Sequence, residues 1–171
     1  MVKGARMNWD KYYMNMCDAI ALKSKDNSTN IGAIIVGPRN EVRSIGYNDF
    51  PRGVIDSIND DRYCKFHGYV DATEEITIIN DRRERPLKYK FTEHAERNAI
   101  YNAAAEGIAL KGCKIYVNKL LPCSDCARAI IQSGITAVVV ESFDVPDRWK
   151  EDCDIALLMF KEASVNIKQI E

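Results

Sequence analysis

From Thr92 onward the chain alternates between segments that read as helix and short apolar segments that read as strand. No other feature limits its fold as much. "HAERNAIYNAAAEG" (94–107) is rich in alanine and stops at Gly107, as a helix does. "CKIYVN" (113–118) has the length and composition of a strand. "CSDCARAIIQSG" (123–134) opens just after Pro122 and ends at Gly134. "TAVVVES" (136–142) is a near-continuous apolar run, expected of a strand buried on both faces. "KEDCDIALLMFKEA" (150–163) predicts an amphipathic helix and "VNIKQI" a final strand. An αβαβαβ order of this kind argues for an α/β fold whose sheet is at least partly parallel, with helices packed against it.

The first half supplies the rest of the sheet. Trp9, Tyr12, Tyr13, Met16, Ile20 and Ala21 recur at helical spacing within 8–24, and Asn8 can cap that helix. "IGAIIVG" (31–37) and "EVRSIGYN" (41–48) flank the turn "PRN" and predict a hairpin, which brings the total to five strands. The stretch 49–91 resists assignment. It is long for a structureless loop inside a compact domain, so it is expected to be functional or partly folded, with "EITIIN" (75–80) adding a strand or a lid. A chain of 171 residues is expected to form one domain over 1–171, with 49–91 as a long insertion.

Charge and cysteine content narrow the function classes. With 24 basic and 25 acidic residues the net charge is −1, which lacks the basic footprint of a nucleic-acid binder, so no nucleic-acid partner is expected. "MVKGARMNWDKYY" has no apolar core of a secretory leader, and no apolar run reaches the length of a membrane span. Six cysteines are few for a disulfide scaffold of this length. A reducing, cytoplasmic location is expected, where paired cysteines serve better as metal ligands than as bridges.

Two motifs then stand out. Cys123 and Cys126 form C-x-x-C at a helix start, where first-turn amides and the helix dipole favour thiolate over thiol. Two thiolates and the imidazole of His94 make three zinc ligands and leave a fourth position open for water. Glu96, two residues after His94, would close the site as a further ligand. As a non-ligand it can accept a proton from water that zinc has acidified. Taken singly, an H-x-E is usually a solvated helix start, and a C-x-x-C reads as a redox pair or half of a structural zinc site. A redox pair normally follows the first strand of a thioredoxin-like unit. A structural site wants a fourth Cys or His nearby. Both motifs together, each opening a helix, favour a catalytic metal.

H-x-E followed by P-C-x-x-C is the signature of the zinc nucleobase deaminases. Over nearly its whole length the chain resembles the cytidine/deoxycytidylate deaminase superfamily, and more closely the deoxycytidylate (dCMP) deaminases. "EHAERNAI" and "LPCSDCARAIIQSGI" are similar to the two zinc motifs of that family. "SIGYNDFPRGV" is similar to its second strand and following turn, and "DRWKEDCDIALLMFKEASVNI" to its last helix and strand. The resemblance implies a three-layer αβα cytidine-deaminase-like fold around a mixed five-stranded sheet. It implies one Zn2+ per subunit held by His94, Cys123 and Cys126, Glu96 as proton shuttle, and conversion of dCMP to dUMP and ammonia. Mg2+ accompanying nucleotide effectors and a homo-oligomer, with a hexamer favoured, are further implications. Candidate substrate contacts are Asn48 and Tyr47 after the second strand, Ser28 and Lys25 before the first, and Arg148 with Trp149. Asn48 reads equally as a turn residue, whereas the favoured reading of Ser28 and Lys25 is a solvated helix end and that of Trp149 a helix-start anchor. The exposed face of Trp9, Tyr12 and Tyr13 would suit a subunit interface, and burial in the monomer explains it equally well.

Two departures from the family pattern bear on function. A glycine linked in some relatives to nucleotide regulation is here Asp49, whose charge would repel a phosphate. Cys64 and His67 form a C-x-x-H half-site with no second half in the sequence, so packing is the expected role of Cys64. "RRER" (82–85) is expected to be a solvated face. Rival readings are a deaminase of dCTP, of 5-methyl-dCMP or of another nucleobase or nucleoside, or a zinc-stabilised binding module without catalysis. The carboxylate of Glu96 argues against the last.

Overall fold

A computed structural model describes residues 7–55 and 82–170 of the chain. The expected element at 75–80 and the Cys64–His67 pair lie outside the described residues. Helix α1 (Trp9–Ala21) leads into strands β1 (Gly32–Val36) and β2 (Val42–Tyr47). A short helix α2 (Lys88–Phe91) precedes α3 (Ala95–Ala105). Then follow β3 (Lys114–Val117), α4 (Ser124–Gln132), β4 (Ala137–Val140), α5 (Asp147–Glu162) and β5 (Asn166–Gln169). The sheet order is β2-β1-β3-β4-β5. β1 runs antiparallel to β2 and to β3, whereas β3, β4 and β5 are mutually parallel. The expected mixed five-stranded sheet is therefore present, and its parallel part is the half that follows residue 92.

Strand alternation divides the core into two layers. Ile34, Val36, Tyr116 and Val139 face α1 and pack with Tyr13, Met14 and Cys17. Ala33, Ile35, Ile115, Val117, Val138 and Val140 face the opposite way and pack with α3, α4 and α5. Asn8 caps α1 as expected, its Oδ1 accepting from Lys11 N at 2.7 Å. Tyr13 is buried, whereas Trp9 and Tyr12 of the same aromatic group are about half exposed. Helix α5 starts three residues earlier than the sequence predicts, directly after Pro146, so Arg148 and Trp149 stand on its first turn. No helix among the described residues is long and apolar enough to cross a membrane.

Helix α3 lies unusually close to β2. A Cβ on Gly46 would sit 2.3 Å from Ala95 O and 2.3 Å from Ala99 N, so only hydrogen fits there. Polar side chains then lock the register. Asn98 Nδ2 donates to Tyr47 O and Asn102 Nδ2 to Ile45 O, both at 2.8 Å, while Ser44 Oγ donates to Ala99 O at 2.7 Å.

The loop after α1 is tied to α2 by charge. Lys88 Nζ donates to both carboxylate oxygens of Asp26 at 2.8 Å and to Ser28 Oγ at 2.6 Å. Asp26 Oδ1 also accepts from the backbone of Ser28 and Thr29. Burial alone would raise the Asp26 pKa, but the ammonium and these donors outweigh it and hold the group at about 2.

Two outcomes follow from this packing. Gly46→Ala forces α3 off the sheet and is expected to destabilise the fold by roughly 2 kcal/mol, read from the shift in denaturant midpoint. Because the folded-state pKa of Asp26 is depressed, its pairing stabilises above the unfolded pKa near 4 and is lost as pH falls toward 2. The stability gap between wild type and Asp26→Asn should thus be present at pH 5–7, on the order of 1–2 kcal/mol, and close by pH 2. A gap that does not change with pH would show that the ion pair is not its source.

Candidate active site

The starts of α3 and α4 converge. His94 occupies the N-cap position of α3 and Cys123 that of α4, both with extended backbone. Neither side chain caps its own helix, so each is left free to point into the space between the two. Cys126 follows one turn into α4 and is fully buried. The Sγ atoms of Cys123 and Cys126 each lie 3.4 Å from His94 Nδ1. All three donor atoms fall within 4.8 Å of one another.

Several side chains hold this arrangement. Asp152 of α5 accepts from Ser124 N at 3.0 Å and from Ser124 Oγ at 2.5 Å, fixing the first turn of α4. Glu93 accepts from His94 N at 2.9 Å and from Arg97 Nε at 2.5 Å. Arg97 Nη1 reaches Asp125 on α4 at 3.3 Å, which ties the two ligand-bearing segments together. The backbone of Glu93 is paired with that of Asp49 in an isolated bridge.

The donors share protons in a way that suits a cation. A hydrogen bond from the Cys126 thiol, helped by His94, pulls the Cys123 pKa down to about 4. The same bond, with burial, raises Cys126. The hydrogen bond to Cys123 raises His94 to about 9 against the effect of burial. One thiolate in contact with one thiol and one imidazolium holds two protons that a divalent ion of borderline softness would displace. Two sulfurs and one imidazole nitrogen are a zinc donor set, and the residues fit that metal. Among the described residues no other cluster of His, Cys, Asp or Glu donors forms, so nothing there supports the expected Mg2+.

Beside this cluster a cavity opens. His94, Glu96 and Cys123 line its floor, whereas Cys126 lies behind it. Glu96 is 4% exposed, and burial raises its pKa above the usual carboxylate value. A buried carboxyl next to a three-ligand cation site is placed to exchange protons rather than to solvate the helix start.

The structure sorts the remaining candidates. Ser28, Asn48, Arg148 and Trp149 line the cavity. Tyr47 does not; its carbonyl is taken by Asn98, and the β2 register keeps it out of the lining. Lys25 lines a smaller hollow next door. Asn48 fills its expected turn role as well as facing the cavity, since its Oδ1 accepts from Ile31 N at 2.7 Å and its Nδ2 donates to Thr29 O at 2.9 Å. The 82–85 stretch is not a plain solvated face. Arg82 stacks on Phe91 at 4.8 Å and Arg83 on Phe50 at 5.6 Å, while Arg85 turns to the cavity. Sequence reasoning missed Asp26, Lys88, Tyr89 and Cys153 in the wall and Asp152 behind α4. No local pattern marks them, because their partners lie far away along the chain.

Comparison with known proteins agrees with this geometry. Residues 7–142 match the model of the cytidine and deoxycytidylate deaminase zinc-binding region. The chain is 35% identical over 163 residues to mouse deoxycytidylate deaminase, covering 95% of this chain and 80% of that one. It is 35% identical over 161 residues to an uncharacterised deaminase of Aliivibrio fischeri, covering 93% and 91%. In three dimensions it is similar to the dCMP deaminase of cyanophage S-TIM5, solved in complex with dCMP and dUMP. The TM-score is 0.64 at 19% identity, over 96% of this chain and all of that one. The matched region, the identities and the shared fold together establish that this chain belongs to the cytidine and deoxycytidylate deaminase family.

Proposed function

We propose that this protein deaminates dCMP to dUMP with release of ammonia. The observation that carries the reading is the buried carboxyl of Glu96 on the floor of a cavity it shares with His94 and Cys123. Family membership and the deoxycytidylate deaminases among its relatives supply the substrate.

His94 Nδ1 and the sulfurs of Cys123 and Cys126 are the atoms that would hold zinc. Zinc bound there supplies a Lewis acid that makes water nucleophilic at neutral pH. Glu96 takes the proton released as water adds to C4 of the cytosine and delivers it to N3. It then carries the second proton to the departing amino group, so that one water enters and one ammonia leaves. Burial raises the Glu96 pKa above the usual carboxylate value, which makes the group a better proton acceptor than a solvated carboxylate. Asn48, held by two backbone partners, is already oriented toward the cavity before substrate arrives.

The wider reading includes a homo-oligomer, in which the exposed Trp9 and Tyr12 of α1 are a candidate contact, and a cytoplasmic setting that suits the free thiols of the described cysteines.

The test is ammonia release, or the ultraviolet change from cytosine to uracil, on dCMP. Glu96→Gln should keep zinc at wild-type stoichiometry and lose roughly 10²- to 10⁴-fold in kcat. Cys126→Ser should lose the metal itself, measured by atomic absorption. Zinc-loaded wild type that leaves dCMP untouched would sink the reading, and a Glu96→Gln enzyme of normal rate would remove its proton shuttle.

A further inference from the structure

The mouth of the cavity is built from parts that the chemistry of the floor does not use. Two segments face each other there, the stretch leading into α2 and the first turn of α5. The rings of Tyr89 and Trp149 meet edge to face across the gap, with centroids 5.7 Å apart and planes at 86°. The guanidinium of Arg85 lies 5.9 Å from the Tyr89 ring centroid, and that of Arg148 lies 5.8 Å from the Trp149 centroid. All four side chains line the cavity.

Three cationic side chains therefore border this space, and they are not equivalent. Lys88 is neutralised, since Asp26 and Ser28 engage its ammonium hydrogens. Bringing a dianion to Lys88 would also bring it against the Asp26 carboxylate. Arg85 and Arg148 form neither an ion pair nor a hydrogen bond among the described residues. Each keeps a planar fork of donors for a tetrahedral anion, and each is braced on an aromatic face. Two uncompensated guanidinium groups on a bridged aromatic pair repel each other until an anion lies between them.

We propose that Arg85 and Arg148 form the clamp for the 5′-phosphate of the substrate, with the Tyr89–Trp149 pair setting their separation. The inference rests on the deoxycytidylate reading and makes these arginines the residues that separate the monophosphate from its nucleoside. A free phosphate ion offers the same chemistry, so the test must tell the two sources apart.

The experiment is calorimetric binding to the zinc-loaded protein of dUMP, deoxyuridine and inorganic phosphate, each at two salt concentrations. Wild type should prefer dUMP to deoxyuridine by about a hundredfold. Arg85→Gln and Arg148→Gln should each cut that preference by about tenfold, and the double variant should abolish it. Arg85→Lys should recover part of it. Phosphate should compete with dUMP and not with deoxyuridine, and the preference should shrink as salt rises. A double variant with the wild-type preference would overturn the clamp, as would parallel losses of dUMP and deoxyuridine affinity, which would mark a collapsed pocket. Phosphate that binds without displacing dUMP would put the anion site elsewhere and overturn it too. Wild type that binds neither uracil ligand would overturn the parent reading, and the clamp with it.

Discussion

Helix α3 rests on the sheet with little more than alanine methyls between them, and the site depends on that closeness. Ala95, Ala99 and Ala103 are wholly buried, and Gly46 gives up its side chain where the helix backbone comes nearest. At this distance short polar side chains can span the gap, so Asn98 and Asn102 reach strand carbonyls and fix both the height and the rotation of the helix. His94 and Glu96 sit at its first turn. Their positions are thus set by backbone packing, which is far stiffer than side-chain packing. Ala127 on α4 is likewise buried against the sheet, and the two ligand-bearing helix starts are brought to one place by the same sheet.

Such convergence has an electrostatic consequence. Two helix N-termini present positive dipole ends to the same small volume, which favours thiolate there. Glu96 experiences the opposite pressure, because it is buried and a carboxylate loses its hydration. One environment can thus lower a thiol and raise a carboxyl. The thiols are one turn apart at a helix start, and the carboxyl sits beside them on the floor of the cavity. Arg97 compensates from the far side, reaching Glu93 and Asp125 and lying close enough to the cysteine pair to feel its charge.

How much of this was legible in the sequence depends on the range of the interaction. The apolar run 136–142 announces a strand buried on both faces, and β4 is that strand, with Val138 packing on one side and Val139 on the other. The candidate zinc donors and the neighbouring carboxyl were legible because each motif is local, His94 and Glu96 being two residues apart and Cys123 and Cys126 three. Gly46 was visible as part of a resemblance, but the reason for it was not, since the clash it avoids is with atoms of Ala95 and Ala99. Asp26 and Lys88 are 62 positions apart, and Ser124 and Asp152 are 28 apart. A charge in a polar loop reads as solvated until its partner is placed. The same reason hid the role of "RRER", whose guanidinium groups find aromatic rings that only the fold brings within reach.

Floor and mouth of the cavity are therefore different kinds of structure. On the floor Glu96 is buried and the half-buried His94 and Cys123 are already in contact with one another, so little freedom remains to be lost when a ligand enters. The wall behaves in the same way. Asn48 has a backbone partner at each end of its amide, and Ser28 Oγ both donates to Asp26 and accepts from Lys88. At the mouth, Arg85, Tyr89 and Arg148 are exposed and sit on a turn, a short helix and a helix start. Ordering them consumes part of whatever binding free energy they provide. A substitution on the floor acts on the chemistry itself and is close to all-or-none. One at the mouth acts on a partly solvated contact, so its effect is graded. Because the two share few residues, the mouth can change which anion it accepts while the geometry of His94, Glu96 and the two cysteines stays as it is.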